Sequence, residues 1–231
     1  MFNKRHIVRT IAATASILAL SFTAACGSGQ STASNSTDSD DITQQTYKPG
    51  KLTIATGQPA YEPWVMNDKP ESGEGYEAAV AYAVADKLGF KKSDVVWTRT
   101  AFDTAIAPGA KDWDFNIQQF GITDERKKAV DFSSSYYNDS QSVVVKKDSK
   151  FANKVSDLKD ATVGVMVGTL AYDYAKANIK DDIQTFNDDA ALAQALDAGQ
   201  IDALVTSTVE CVYMVQSEQV KDAKVLGRLP D

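Results

Sequence analysis

The sequence predicts an α/β fold, and three observations predict it. Short segments of strand character alternate with amphipathic helical stripes from Lys51 to Leu226. Glycines and helix-capping residues fall at the junctions, as at Gly168-Thr169, Asn187-Asp188, Gly199 and Ser207-Thr208. The body that carries this alternation, about 180 residues, is long enough for one domain or two small lobes.

The chain begins with a targeting segment, residues 1–25. Lys4, Arg5 and Arg9 make a basic start, and Ile11 to Phe22 is mostly apolar. That run is shorter than the ~20 residues a membrane-spanning helix needs, so it reads as a signal peptide. Small residues Thr23-Ala24-Ala25 before Cys26 resemble a bacterial lipoprotein cleavage box, with Cys26 as the lipid attachment point. Thr23 stands where that box usually has leucine, so a simple secreted form is the alternative. Residues 27–46 hold one large aliphatic, Ile42, and no Lys or Arg. They cannot bury enough apolar surface to order themselves and read as a tether with a reach of about 25 Å.

The first 25 residues carry three basic and no acidic side chains. Without them the 24 basic residues become 21 against 31 acidic, a net charge near −10. That balance argues against nucleic acid as a partner. The single histidine, His6, lies in the signal segment, which leaves no histidine base, nucleophile pair or ordinary transition-metal site behind it. No cofactor is expected. Cys211 has no sensible disulfide partner and reads as a small packed residue.

In the body, Lys51–Thr56 alternates as a strand, and Gly57 to Trp64 is a loop with two aromatics. Gly75 to Leu88 places Tyr76, Ala79, Val80, Ala83, Val84 and Leu88 on one helical stripe, ended by Gly89. Strands come next at Val95–Arg99, Phe115–Phe120 and Ser142–Lys146, with a short helix at Phe102–Ala107. A second α/β unit has strands at Thr162–Val167, Ile183–Phe186, Ala203–Thr206 and Lys224–Leu226. Its helices are Leu170–Asn178, one through Leu196, and one reaching about Glu218.

Two places suit an anion. Arg126 comes after a strand end in Gly121-Ile122-Thr123-Asp124-Glu125-Arg126, and its planar fork matches a carboxylate. The plain alternative is a surface ion pair with Asp124 or Asp131, which would contribute little. Gly168-Thr169 offers a backbone N–H, a hydroxyl and a helix N-terminus, or else a mere turn and N-cap. No nucleotide-binding glycine motif is present.

An ordered set of motifs carries a resemblance. It comprises the lipoprotein-like start, Tyr61-Glu62-Pro63-Trp64, Gly75-Tyr76-Glu77, Lys87-Leu88-Gly89, Gly121 through Arg126 to Val130-Asp131-Phe132-Ser133, Tyr136-Tyr137, Asp157-Leu158-Lys159 and Val163 to Thr169. Together these resemble the family 3 extracellular solute-binding proteins, receptors of bacterial ABC importers, over about Lys51 to Leu229. The resemblance implies a periplasmic-binding-protein-like clamp of type II, with residues 49–143 as lobe 1 and 144–231 as lobe 2 behind a lipidated cysteine and tether at 26–48. It implies that Arg126 holds a ligand carboxylate, with Thr169 and Gly168 opposite and Gly121 contributing a backbone group. Tyr61, Trp64 and Phe102 fall where the family packs aromatics on the ligand, core packing being the alternative for the first two. Gln58 and Gln119 fall at side-chain-recognising positions.

The sequence departs from the family pattern in three places. Ser207 stands where the family has the acid for the ligand's ammonium; either Glu210, one turn on, substitutes, or the ligand lacks an ordinary α-ammonium. Ala79 replaces a common acidic residue, a structural difference. The chain stops near the return crossing to lobe 1, so an incomplete first lobe with exposed apolar surface is expected. The expected function is a monomeric, lipid-anchored receptor outside the cytoplasm. It would bind an amino acid or similar small carboxylate and deliver it to an ABC transporter permease. The alternative is an enzyme on the same clamp, dehydratase-like or cell-wall lytic, with Glu210 as its acid.

Overall fold

The computed structural model describes residues 41–230. The signal segment, Cys26 and the tether up to residue 40 lie outside the described residues; residues 41–48, expected as tether, instead form a helical turn at Ile42–Gln44 capped by Asp41 and are fixed to the body where the Tyr47 N–H donates to Asp114 Oδ1. Two sheets organise the body of the chain. The first has order β2-β1-β3 and is wholly parallel, with β1 at Leu52–Gly57, β2 at Val95–Thr100 and β3 at Phe115–Asn116. Helix α1 (Tyr76–Lys87) makes the crossover from β1 to β2, and α2 (Phe102–Ile106) comes after β2. A single turn of helix, α3 (Asp124–Lys127), then carries Arg126, with Thr123 Oγ1 accepting from the Arg126 N–H at 3.1 Å as its cap.

The second sheet has order β6-β5-β7-β4-β8. Its strands are β4 (Gln141–Lys146), β5 (Val163–Met166), β6 (Gln184–Phe186), β7 (Ala203–Ser207) and β8 (Ala223–Arg228). Strands β5, β6 and β7 run parallel, joined by helices α4 (Leu170–Asn178) and α5 (Asp189–Asp197), while β4 is antiparallel to both β7 and β8. Helix α6 (Thr208–Gln216) links β7 to β8. Period-two alternation sends Val143, Val145, Val163, Val165 and Val205 to one face, beneath α4. Val144 and Leu204 go to the other, against Leu192 and Leu196 of α5 and Cys211 and Met214 of α6. Each such side chain taken from water contributes roughly 1.5–3 kcal/mol, so burial on both faces holds this sheet firmly.

Two expectations need correction. The helix α1 does not bury the predicted stripe: Ala79 and Ala83 are exposed, and the inner face is Glu77, Ala78, Ala81 and Ala85. Alanines there let the helix lie close on β1, while Val80, Val84 and Leu88 pack at the flank of the core. The predicted strand Phe115–Phe120 ends at Asn116. Gln119 takes a left-handed φ of 50°, which a strand cannot hold, and the buried Glu77 carboxylate accepts from its backbone N–H at 2.8 Å. Cys211 is buried in the core, the packed position expected of it.

Candidate functional site

The carboxyl ends of both sheets face one cavity of about 470 Å³. It is large enough for a solute of a dozen or so non-hydrogen atoms, and its position matches where open α/β sheets take ligands. Arg126 stands at one wall. Its Nη1 donates to the Gly121 carbonyl at 2.9 Å, and its Nη2 reaches across the lobes to the Gly168 carbonyl at 2.8 Å. No carboxylate lies within salt-bridge distance of it among the described residues: Asp124 takes Lys127 at 2.9 Å, and Glu125 takes Lys128 at 2.5 Å. The plain surface-pair alternative is thereby excluded for Asp124. The guanidinium also lies 5.7 Å from the Phe102 ring centroid and 5.5 Å from that of Phe120, which stack on each other at 4.0 Å. Burial pulls its pKa down from the usual arginine value, with the Asp173 charge opposing.

Of the other predicted residues, Tyr61, Trp64, Phe102, Gln119, Gly121, Thr169, Ser207 and Glu210 all line this cavity. Three are placed differently from expectation. Gln58 is exposed and outside the lining, because the Pro59 carbonyl lies 2.6 Å from where a Gly57 Cβ would stand and the chain turns sharply there. Gly168 also lies outside the lining, at φ +75°, and its carbonyl accepts from Arg126. The Thr169 hydroxyl donates to the Met166 carbonyl at 2.7 Å, and makes no cap for α4. Gly121 packs under Leu170, so that a Cβ there would run into the Leu170 Cδ1 from the other lobe. A second interlobe contact joins the Tyr213 hydroxyl to the Glu62 carboxylate.

Part of the cavity wall is acidic. Glu77, fully buried, accepts from Tyr136, from Gln119 Nε2 and from the Gln119 amide. Burial outweighs these donors and pushes its carboxyl up to about 7. Glu210 and Asp189 are each only 7 % exposed. The Thr206 hydroxyl donates to Glu210 Oε2 at 2.6 Å and lies 3.5 Å from Asp189 Oδ1. Burial raises both carboxyls above the ordinary range, and the Glu210 charge raises Asp189 further. Ser207, meanwhile, accepts the Glu210 N–H at 3.2 Å as the cap of α6. Sequence reasoning named Glu210 but missed Asp189 and Glu77. The latter's one signal was an acid inside Gly75-Tyr76-Glu77, and Asp189, next to the cap residue Asp188, looked like an ordinary first-turn acid.

Comparison with known proteins agrees with this geometry. The sequence profile of the bacterial extracellular solute-binding proteins, family 3, matches residues 52–199. A glutamine-binding protein of Geobacillus stearothermophilus is 34 % identical, over 88 % of this chain and 82 % of its own. The L-arginine-binding protein of Pseudomonas aeruginosa is 27 % identical, over 78 % of this chain and 73 % of its own. Among solved structures, an ancestral arginine-binding protein bound to glutamine superposes with a TM-score of 0.65 at 32 % identity, covering 78 % of this chain and 79 % of that one.

Proposed function

The chain belongs to the bacterial extracellular solute-binding proteins of family 3, and on that premise we propose that it binds an amino acid between its lobes, with the carboxylate on Arg126, and delivers it to an ABC permease. One observation supports this above the others. A guanidinium with no carboxylate partner among the described residues is held by two backbone carbonyls, one from each lobe, at the wall of a 470 Å³ cavity. Neutral acceptors fix the group without cancelling its charge, so an incoming carboxylate meets a preset fork. Binding transfers no group: the amino acid leaves the cavity unchanged.

Phe102 and Phe120 supply a flat apolar face beside the anchor, Trp64 and Tyr61 line the cavity nearer the acids, and Thr169 and Gly121 narrow the mouth from opposite lobes. Strand β4 pairs along its whole length with β7 and β8. That pairing favours a lobe boundary just before Gln141, with closure a population shift about residues 133–140 and the end of β8. Cys26 is the proposed lipid anchor, holding a monomeric receptor at the outer face of the membrane; C26A released into the medium would support it.

Isothermal titration of L-glutamine and L-arginine tests the anchor. R126A loses a charge-assisted pair of ~2–3 kcal/mol, so affinity falls at least roughly thirty-fold. Unchanged affinity in R126A would remove Arg126 from this role. Mass spectrometry after prolonged incubation returns the same amino acid; a changed product would favour the enzymatic alternative.

A further inference from the structure

The acidic part of the cavity wall poses a problem of charge that no side chain among the described residues solves. Asp189 at the start of α5 and Glu210 in α6 come from different elements, both more than nine-tenths buried, and both line the cavity. Between them stands one hydroxyl, Thr206 Oγ1, at 2.6 Å from Glu210 and 3.5 Å from Asp189. One hydroxyl carries one proton, and it can donate to only one of the two. No lysine or arginine lies within salt-bridge distance of either carboxylate among the described residues. Two ionised carboxylates so placed, without a cation, would cost several kcal/mol each in a low-dielectric wall.

A proton is the one cation that the protein alone can place there. The other groups that face the pair do not help. Glu77 from α1 feels the Glu210 charge and offers no cation, Asp139 from the loop before β4 adds negative charge around Glu210, and Asp188 adds it beside Asp189. A second, independent sign comes from neutral groups on the same wall. Trp64 is 4 % exposed, its indole lies near enough to Glu210 to act on that carboxyl, and its Nε1–H has no acceptor in hydrogen-bonding geometry among the described residues. The buried Tyr61 hydroxyl, beside the backbone at the start of α5, likewise has no partner in hydrogen-bonding geometry among the described residues. Buried donors left unpaired in a cavity wall mark a place that a bound molecule completes.

We propose that Asp189 and Glu210 together form a cation site, and that the ligand's ammonium or guanidinium group enters it by displacing one proton that the pair shares when no ligand is bound. The proposal rests on the amino-acid reading of this cavity and deepens it. The cation takes the proton's place between the carboxylates, and the proton passes to the buffer. Ser207, spent on capping α6, is not part of the site. The ligand class is therefore a molecule that carries a carboxylate for Arg126 and a cationic nitrogen for the acid pair, whose affinity rises with pH until the pair ionises by itself.

Calorimetry on the full chain tests this with L-glutamine and L-arginine as probes, in phosphate and in HEPES at neutral pH. These buffers differ in their enthalpy of protonation, so a released proton shows as a buffer-dependent heat. The expected result is release of about one proton per ligand bound. E210Q and D189N, near-isosteric and lacking the shared proton, should each weaken binding at least roughly ten-fold and abolish the buffer dependence. Equal heats in both buffers with the wild-type protein, or full affinity in E210Q, would overturn the proton-linked site while leaving the receptor reading intact. No heat from either probe in the wild type would instead sink the amino-acid reading, and this inference with it. Should a variant fail to fold, the wild-type comparison of buffers still decides.

Discussion

The two ends of the cavity hold buried charge in opposite ways. Arg126 is surrounded by neutral dipoles, two carbonyls and two aromatic faces, and stays ionised. Asp189 and Glu210 share one hydroxyl and lie among other acids, and burial raises both. A guanidinium delocalises its charge and satisfies several acceptors at once, whereas two carboxylates can compete for one donor. A binding cavity can thus keep one end permanently charged and let the other end trade protons.

The largest effect concerns the third acid, Glu77. Its carboxyl is raised from 4.5 to about 7, so the folded protein keeps a proton that the unfolded chain has lost across that window. Stability from this group is full below pH 4.5 and is lost as pH rises through about 7. Chemical denaturation at both ends of the window should show the wild type losing ~3 kcal/mol more than E77Q. Parallel curves would mean that the donors from Gln119 and Tyr136 hold Glu77 as an ordinary carboxylate. A smaller effect is expected at the other end of the cavity. R126K keeps the charge but cannot bridge Gly121 and Gly168, so titration should show affinity lower by about ten-fold, or ~1.4 kcal/mol. Smaller again, E210Q should raise the stability of the ligand-free protein by ~1 kcal/mol at neutral pH, because a neutral amide suits that wall better than an acid crowded by acids. Thermal melts without ligand check it; a lower melting temperature would place Glu210 among the groups that hold the fold. The smallest effect is K127A, whose partner Asp124 is almost fully exposed. No measurable change in melting temperature is expected there.

The second sheet was legible because its strands are short valine- and alanine-rich runs bounded by caps, and the helix Leu170–Asn178 begins and ends where the sequence placed it. Residue type narrowed the caps to Asn187 or Asp188 and to Ser207 or Thr208, and the structure uses Asp188 and Ser207. The first lobe was less so. The buried face of α1 is alanine and one acid, which no hydrophobic stripe reveals, and the strand at Phe115 is cut short by a residue that a distant carboxylate pins. At the site, Arg126 stood out as one of three arginines in the body, and it lines the cavity. Asp189 could not stand out, since its meaning depends on Glu210 and Thr206 arriving from elsewhere in the chain. Gln58 was misplaced for the converse reason: a sequence position matched, but the turn after Gly57 directs that side chain to solvent.

The most direct measurement is diffraction from crystals grown with L-glutamine or L-arginine. The account predicts electron density with the carboxylate on the Arg126 fork, flat against Phe102 or Phe120, and a cationic nitrogen between Asp189 and Glu210. A ligand whose carboxylate lies elsewhere, with Arg126 still bound only to the Gly121 and Gly168 carbonyls, would contradict it.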